Sequence, residues 1–188
     1  MLKSTVWMKH GINIKPYSNL TQFLRRRSDG LKKQNPKTFS ANNVEKFLKE
    51  APDDQYLATK VALIFGIAGG CNREELRYIT TRDIETHGEM LVVRVTTSKK
   101  KQRSFPVHSP FYEIVKKYES LRTPKAKNDF FFQKYQAGNC MAQPIPLKKF
   151  SSMKKDIAKF LGLPDASSYT GHSFKRTSAT LRSDSGAI

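Results

Sequence analysis

Apolar residues recur along much of the chain at the spacing of buried helix faces, which predicts a mainly helical protein. Ser40 can cap a first helix, whose buried face combines three apolar residues: Val44, Phe47 and Leu48. Residues 55–68 are apolar on most sides, so we expect a central helix there, capped by Asp53 or Asp54. A glycine pair at 69–70 ends this helix, and a short helix is predicted over 72–79.

One part of the sequence departs from helical periodicity. Residues 90–97 (MLVVRVTT) are rich in β-branched side chains and predict a strand, with 103–107 as its antiparallel partner and the basic run 98–102 as the turn. Three further helices are predicted, over 110–121, over 147–161 and from about residue 172. The expected fold class is therefore α+β, mainly helical, with a small antiparallel β-hairpin sheet.

A basic linker separates a short first segment from the main domain. Residues 1–28 are too few to bury a core of their own, and residues 32–38 (KKQNPKT) are typical of an exposed connection. We place the boundary near Gly30, with a linker over 31–39 and the main domain over 40–188.

The net charge is the most informative feature of the composition. The chain of 188 residues has 34 Lys and Arg against 16 Asp and Glu, a net charge of +18, which favours a polyanionic partner such as double-stranded DNA. Cys71 and Cys140 are too few for a disulfide framework or a zinc site, and the four histidines lack metal-ligand spacing, so no metal or cofactor is expected. No apolar run approaches the ~20 residues of a membrane span, and we expect an intracellular, soluble, nuclear protein.

Three basic clusters lie where a phosphate could be bound. They are residues 72–76 at a helix start, residues 98–103 in the predicted turn, and residues 171–176 at the start of the last helix. Helix starts and tight turns offer backbone N–H groups as well as cations to a phosphate.

The order of these clusters, and above all the run 171–181 (GHSFKRTSATL), resembles the phage-integrase-like tyrosine recombinases, with the crypton-type recombinases of eukaryotic mobile elements as the most similar group. The resemblance covers roughly residues 40–188. It implies the recombinase catalytic-domain fold, and DNA cleavage and rejoining through a phosphotyrosine as the family activity. Residues 1–30 would then be a remnant of the helical DNA-clamping (core-binding) domain.

The site implied by the resemblance is degenerate. Asn72 stands where the family has its first arginine, with Arg73 beside it, and Lys175 stands where it has its second, with Arg176 beside it. Lys100 is the candidate for the hairpin lysine, and His172 is in place. Residues 173–188 contain no tyrosine to act as nucleophile. We therefore expect a C-terminally truncated domain with a vestigial site, which binds DNA without strand exchange.

Other cations are candidate DNA contacts: Arg25, Arg26, Arg27, Lys99, Lys101, Arg103, Lys148 and Lys149. Each basic cluster also has a simpler interpretation as a solvated helix start or an exposed turn. Two other functions stay open at this point. One is a fragment of an active recombinase whose tyrosine lies beyond residue 188, and the other is a regulatory protein-binding module. Self-association, or pairing with a related full-length recombinase, is a further expectation.

Overall fold

The computed structural model describes residues 37–97, 101–170 and 172–184 and, near the N-terminus, residues 9–11, 13, 16–20 and 22–23. The chain divides into two compact units, Met1–Asn35 and Pro36–Ile188. The division falls within the predicted linker. The assignment of residues 1–30 to a clamp-domain remnant stays a prediction, and the fold described below is that of the second unit.

The first two helices form as the sequence pattern predicts. Helix α1 (Ala41–Glu50) begins after Ser40, whose hydroxyl accepts a hydrogen bond from the backbone N–H of Asn43. Helix α2 (Asp53–Ala68) is the central element, since every residue from Leu57 to Gly66 is buried. The cap differs from the expectation. Pro52 is the N-cap residue and makes no side-chain capping bond, while Asp53 and Asp54 lie in the first turn, where their charges favour the helix dipole.

A three-stranded antiparallel sheet follows the short helix α3 (Arg73–Tyr78). Its strands are β1 (Ile84–His87), β2 (Met90–Thr96) and β3 (Gln102–Val107), in the order β1-β2-β3. The predicted hairpin is β2–β3, with Val93 opposite Phe105. Strand β1 was not predicted, because its four residues are half-buried or exposed and carry no hydrophobic alternation.

The next elements contain a second hairpin, which the sequence pattern did not predict. Helix α4 (Phe111–Ser120) is followed by the buried pair Phe131–Phe132 and then by β4 (Gln133–Gln136) and β5 (Asn139–Pro144). These strands pair antiparallel in a separate sheet. The fold is therefore mainly helical, as expected, with two small sheets among the described residues where one was predicted.

Two helices complete the domain and carry much of the candidate site. Helix α5 (Leu147–Phe160) buries Phe150, Met153 and Ile157 at helical spacing. Helix α6 (Ser173–Asp184) packs on α2, where the fully buried Phe174 ring lies against the Gly66 backbone. The close approach of α6 to α2 requires glycine at this position, because an added Cβ would overlap the ring.

The segment before α1 contacts both α6 and the segment that precedes α6, through a hydrogen bond, a ring stack and an ion pair. The backbone N–H of Phe39 donates to Thr177 Oγ1 at 3.0 Å, and its ring stacks on Tyr169 with centroids 4.6 Å apart. Lys37 forms an ion pair of 2.9 Å with Asp165. These contacts position the segment that leads to His172, and they come from residues more than a hundred positions earlier in the sequence.

In the described part of the chain, no helix combines the length and the hydropathy that a membrane span requires.

Candidate functional site

A cavity of about 570 Å³ lies where α3, α5 and the segment leading into α6 meet, and we call it the α3–α5–α6 cavity. It brings together the first and third basic clusters of the sequence, which lie about a hundred residues apart in the chain. Its lining is formed by Asn72, Arg73, Glu74, Ser151, Ser152, Lys155, Ser167, Tyr169, Thr170, His172 and Lys175.

Asn72 serves as the cap of α3. Its side-chain oxygen accepts from the backbone N–H of Glu75 at 2.8 Å, and its own backbone N–H donates to Glu75 Oε2 at 2.9 Å. This reciprocal capping box satisfies donors at the helix start that would otherwise lack partners. The position where the family resemblance implies an arginine is therefore held by a neutral side chain whose oxygen is engaged within its own helix.

Arg73 reaches the same cavity although it is the next residue along the chain. A rotation of about 100° per residue suggests that it should point elsewhere, but Asn72 precedes the helix and Arg73 is its first residue, and both line the cavity. Its Nε donates to Glu74 Oε1 at 2.8 Å and its Nη1 to Ser151 Oγ at 3.2 Å. The hydrogen bond from Arg73 lowers the pKa of Glu74 below its usual value. Arg73 thus links α3 to α5 at the rim and keeps 47% of its side chain exposed.

The start of α6 supplies two more of the predicted residues. His172 and Lys175 are exposed and line the cavity. Arg176 is also exposed, but it is not among the lining residues. Lysine therefore occupies the site where the resemblance implies arginine, which keeps the positive charge but not the planar fork that binds two phosphate oxygens together.

The β2–β3 turn is described only in part. Lys99 and Lys100 lie outside the described residues, as do Gly171 and the candidate cluster Arg25, Arg26 and Arg27. Lys101 is exposed, and its carbonyl accepts from the Thr97 backbone N–H at 2.8 Å. It does not line the cavity.

Arg103 is engaged inside the domain. Its Nη1 donates to the Gly69 carbonyl at 2.5 Å, and its Nη2 donates to Glu75 Oε2 at 2.8 Å. Glu75 is 8% exposed, so the guanidinium balances a nearly buried carboxylate. Arg103 joins β3 to the glycine turn and to α3, and its expected contact with DNA stays a prediction.

Helix α5 contributes a cation that sequence reasoning missed. Lys148 and Lys149, the predicted DNA contacts, are exposed near its start and do not line the cavity; Lys149 pairs with Asp156 at 2.8 Å. Lys155 does line it, together with Ser151 one turn earlier. The i, i+4 spacing of these two polar residues was the available signal, since it places them on one helix face opposite the apolar residues.

Comparison with known proteins gives a single consistent result at the level of fold. No protein-family model and no curated protein sequence matches the chain. Among solved structures, 81% of this chain superposes on 53% of XerA recombinase at 18% identity, with a TM-score of 0.67. The same share superposes on 44% of XerH site-specific recombinase bound to difH substrate, at 18% identity and a TM-score of 0.61. The lambda integrase catalytic core gives a TM-score of 0.54 at 15% identity, with 79% of this chain covering 84% of that one.

The domain has the tyrosine-recombinase catalytic fold. The fold implied by the sequence resemblance is thereby confirmed. The chain spans about half the length of the XerA and XerH chains, and these identities establish the fold alone. Within this fold the α3–α5–α6 cavity is the place where Asn72, Arg73, His172 and Lys175 meet.

Proposed function

We propose that this protein binds duplex DNA through its phosphates, with the α3–α5–α6 cavity at the centre of the interface. The observation that carries the proposal is the convergence of Arg73, Lys155 and Lys175, from three different helices, on one open cavity that also contains serine and threonine hydroxyls. Cations and hydroxyl donors in this arrangement suit the non-bridging oxygens of a phosphodiester. The net charge of +18 would draw the polyanion to this surface.

The salt dependence of binding tests this proposal. Affinity for a short mixed-sequence duplex should fall with a log–log slope of about −0.9 for each phosphate that the protein neutralises. Replacing Arg73, Lys155 and Lys175 by alanine should weaken binding and reduce the slope by about 0.9 for each phosphate that is no longer neutralised. A slope near zero for the wild type, or an unchanged slope for the triple variant, would refute the proposal.

A matched control is needed because removing any three positive charges weakens binding to a polyanion. Lys46, Lys125 and Lys127 are exposed and do not line the cavity. Their triple alanine variant has the same net charge as the cavity variant. It should retain most of the wild-type affinity if the cavity, rather than total charge, determines binding.

We further propose that the 188-residue chain does not itself cleave and rejoin DNA. A neutral capping residue, Asn72, replaces the first arginine, and Lys175 replaces the second. Removing one such charge stabiliser of the transition state typically costs about 10²–10³ in rate. A duplex with a nick beside the cleavage position traps covalent intermediates, and we expect no protein–DNA adduct with this chain.

If an adduct does form, Tyr169 is the candidate nucleophile. It lines the cavity, the residue as a whole is 7% exposed, and its ring is stacked on Phe39. Loss of the adduct in Tyr169→Phe would show that this chain has a nucleophile of its own and would overturn the non-catalytic proposal.

The origin and location of the protein belong to the same proposal. Descent from a crypton-type mobile element predicts a nuclear protein, which fractionation of the native cells would test. Self-association, or pairing with a full-length recombinase, predicts a sedimentation coefficient above that of a 21.5 kDa monomer.

A further inference from the structure

A buried lysine lies behind the wall of the α3–α5–α6 cavity. Lys154 is on α5, next to Lys155 and three residues after Ser151, both of which line the cavity. Unlike them it faces inward, and only 1% of its surface is exposed. Lysine is almost never buried to this degree without a partner for its charge, because the loss of hydration is costly.

The contacts of the ammonium are unusual. Nζ donates to the Phe150 carbonyl at 2.6 Å and lies 4.4 Å from the centre of the Phe174 ring. Within the described part of the chain, no carboxylate oxygen lies within 4.0 Å of it. The charge is therefore stabilised by a carbonyl dipole and an aromatic face rather than by an ion pair.

These contacts connect Lys154 to the elements that form the cavity. Phe174 follows His172 by two residues and precedes Lys175, and both of those line the cavity. The ring is itself packed against Gly66 of α2, so a displacement of the first turn of α6 would disturb a close-packed contact. The ammonium thus contacts the turn from which Lys175 projects and which His172 immediately precedes.

We propose that Lys154 is a positioning residue of the α3–α5–α6 cavity, whose buried ammonium holds the first turn of α6 and adds positive potential that favours an anion there. The inference rests on the proposed function, because the anion is taken to be a DNA phosphate. Lys154 itself does not touch the ligand. It acts through its electrostatic field at the cavity and through its contact with the Phe174 ring. An anion bound in the cavity would in turn stabilise the protonated form of Lys154.

The titration of Lys154 makes this reciprocity measurable. Burial, with repulsion from Arg73 as the smaller cause, lowers the pKa of Lys154 to about 8, while Glu74 acts in the opposite direction. Arg73 and Glu74 of α3 are the charged groups that act on it, and Lys155, His172 and Lys175 lie in the adjoining cavity wall. A bound phosphate raises the pKa of a nearby ammonium. Binding is therefore strongest while Lys154 is protonated and weakens as the pH rises through about 8.

The experiment measures duplex affinity of the full 188-residue chain at constant ionic strength, from about pH 7 to about pH 9, below the ordinary lysine pKa of about 10.4. If a bound phosphate raises the pKa of Lys154 by about one unit, affinity should fall by up to about tenfold across this window. Lys154→Met, which keeps the length of the side chain without its charge, should bind more weakly at pH 7 and show little pH dependence. Lys159→Met, at an exposed position on the same helix, should behave as the wild type.

A second measurement covers the case in which Lys154→Met does not fold. With ¹³C-labelled lysine, the buried ammonium can be titrated by NMR in the wild-type protein, with and without the duplex. A higher pKa in the complex supports the inference, and an unchanged pKa overturns it. Equal pH dependence in wild type and Lys154→Met overturns it as well, with DNA binding left intact. Absence of salt-dependent binding by the wild type at pH 7 would instead overturn the proposed function, and this inference with it.

Discussion

Replacing Arg103 by methionine is the sharpest test of how the site is supported. The change removes a guanidinium that bridges the Gly69 carbonyl and Glu75 Oε2, while an unbranched side chain of similar length remains. Among the described residues, Glu75 then keeps one donor, the Asn72 backbone N–H at 2.9 Å, for a side chain that is only 8% exposed. We expect the domain to lose stability and the cap of α3 to loosen.

The size of the loss follows from the burial of the two partners. Breaking a fully buried ion pair costs about 3–5 kcal/mol, because one charge is left without compensation. The Arg103 side chain is 35% exposed, so solvent screens part of the interaction and about 2–3 kcal/mol is the expected loss in the free energy of unfolding. In a protein of this size, each 1 kcal/mol lowers Tm by about 2–4 °C, which gives roughly 4–12 °C.

Urea unfolding followed by circular dichroism measures the change, with Arg94→Met as the control. Arg94 forms an ion pair of 2.7 Å with Glu85, but its side chain is 52% exposed, so its loss should cost less than about 1 kcal/mol. Adding Glu75→Gln to Arg103→Met removes the orphaned charge and should restore about 1–2 kcal/mol. A loss for Arg103→Met no larger than that of the control, or no recovery on adding Glu75→Gln, would show that the buried ion pair does not stabilise the domain.

The same variant separates a structural role for Arg103 from direct binding to DNA. Measured where the protein is folded, the salt slope of DNA binding should be the same as in the wild type. A slope smaller by about 0.9 would show that Arg103 binds a phosphate.

Three further outcomes are expected. Gly66→Ala should destabilise the domain by about 1–3 kcal/mol in urea unfolding, because the new methyl overlaps the fully buried Phe174 ring; a neutral effect would contradict this packing. Asp53→Asn should lower the stability of the domain at neutral pH but not in acid. Burial by itself would raise the pKa of Asp53, yet hydrogen bonds from Lys117 and Lys60 hold that pKa below 3.8. The carboxylate therefore stabilises the fold above that pH, and the stabilisation is lost as the pH falls through the pKa of the folded state. Thermal unfolding from pH 7 to pH 2 should show the two proteins converging, and a constant difference would exclude this origin. Cys71 and Cys140 should react with a thiol reagent only after unfolding, because both are buried, and burial raises the pKa of Cys71 to about 12; rapid labelling of the native protein would contradict their burial.

The elements that sequence reasoning located correctly are those whose pattern is local. Helix α1 has both a capping serine and a buried triplet at helical spacing, and β2 has a run of β-branched residues. The β4–β5 hairpin lacks such signals, since β5 is mostly exposed. Its turn has Ala137 with φ 47° before Gly138 with φ 77°, and alanine there does not indicate a turn.

The candidate site was predictable in part for a similar reason. Asn72, Arg73, His172 and Lys175 could be named from motif order, but their meeting in one cavity depends on long-range packing. The direction of Lys154 was readable in principle, because it lies four residues after the buried Phe150 and three before the buried Ile157. Nothing in the sequence reveals that Arg103, beside a lysine run, turns inward to a carboxylate 28 residues earlier.

The bond between Phe39 and Thr177, which spans 138 residues, has a consequence for how the protein is made. During synthesis, α1 and α2 leave the ribosome long before the residues that receive Phe39 and cover Gly66 have been made. At about 5–20 residues per second, that delay is on the order of ten seconds. Throughout this interval the surface of α2 that Phe174 covers lacks its α6 partner, so we expect the nascent chain to expose apolar surface that a ribosome-associated chaperone could bind until Thr177 has emerged.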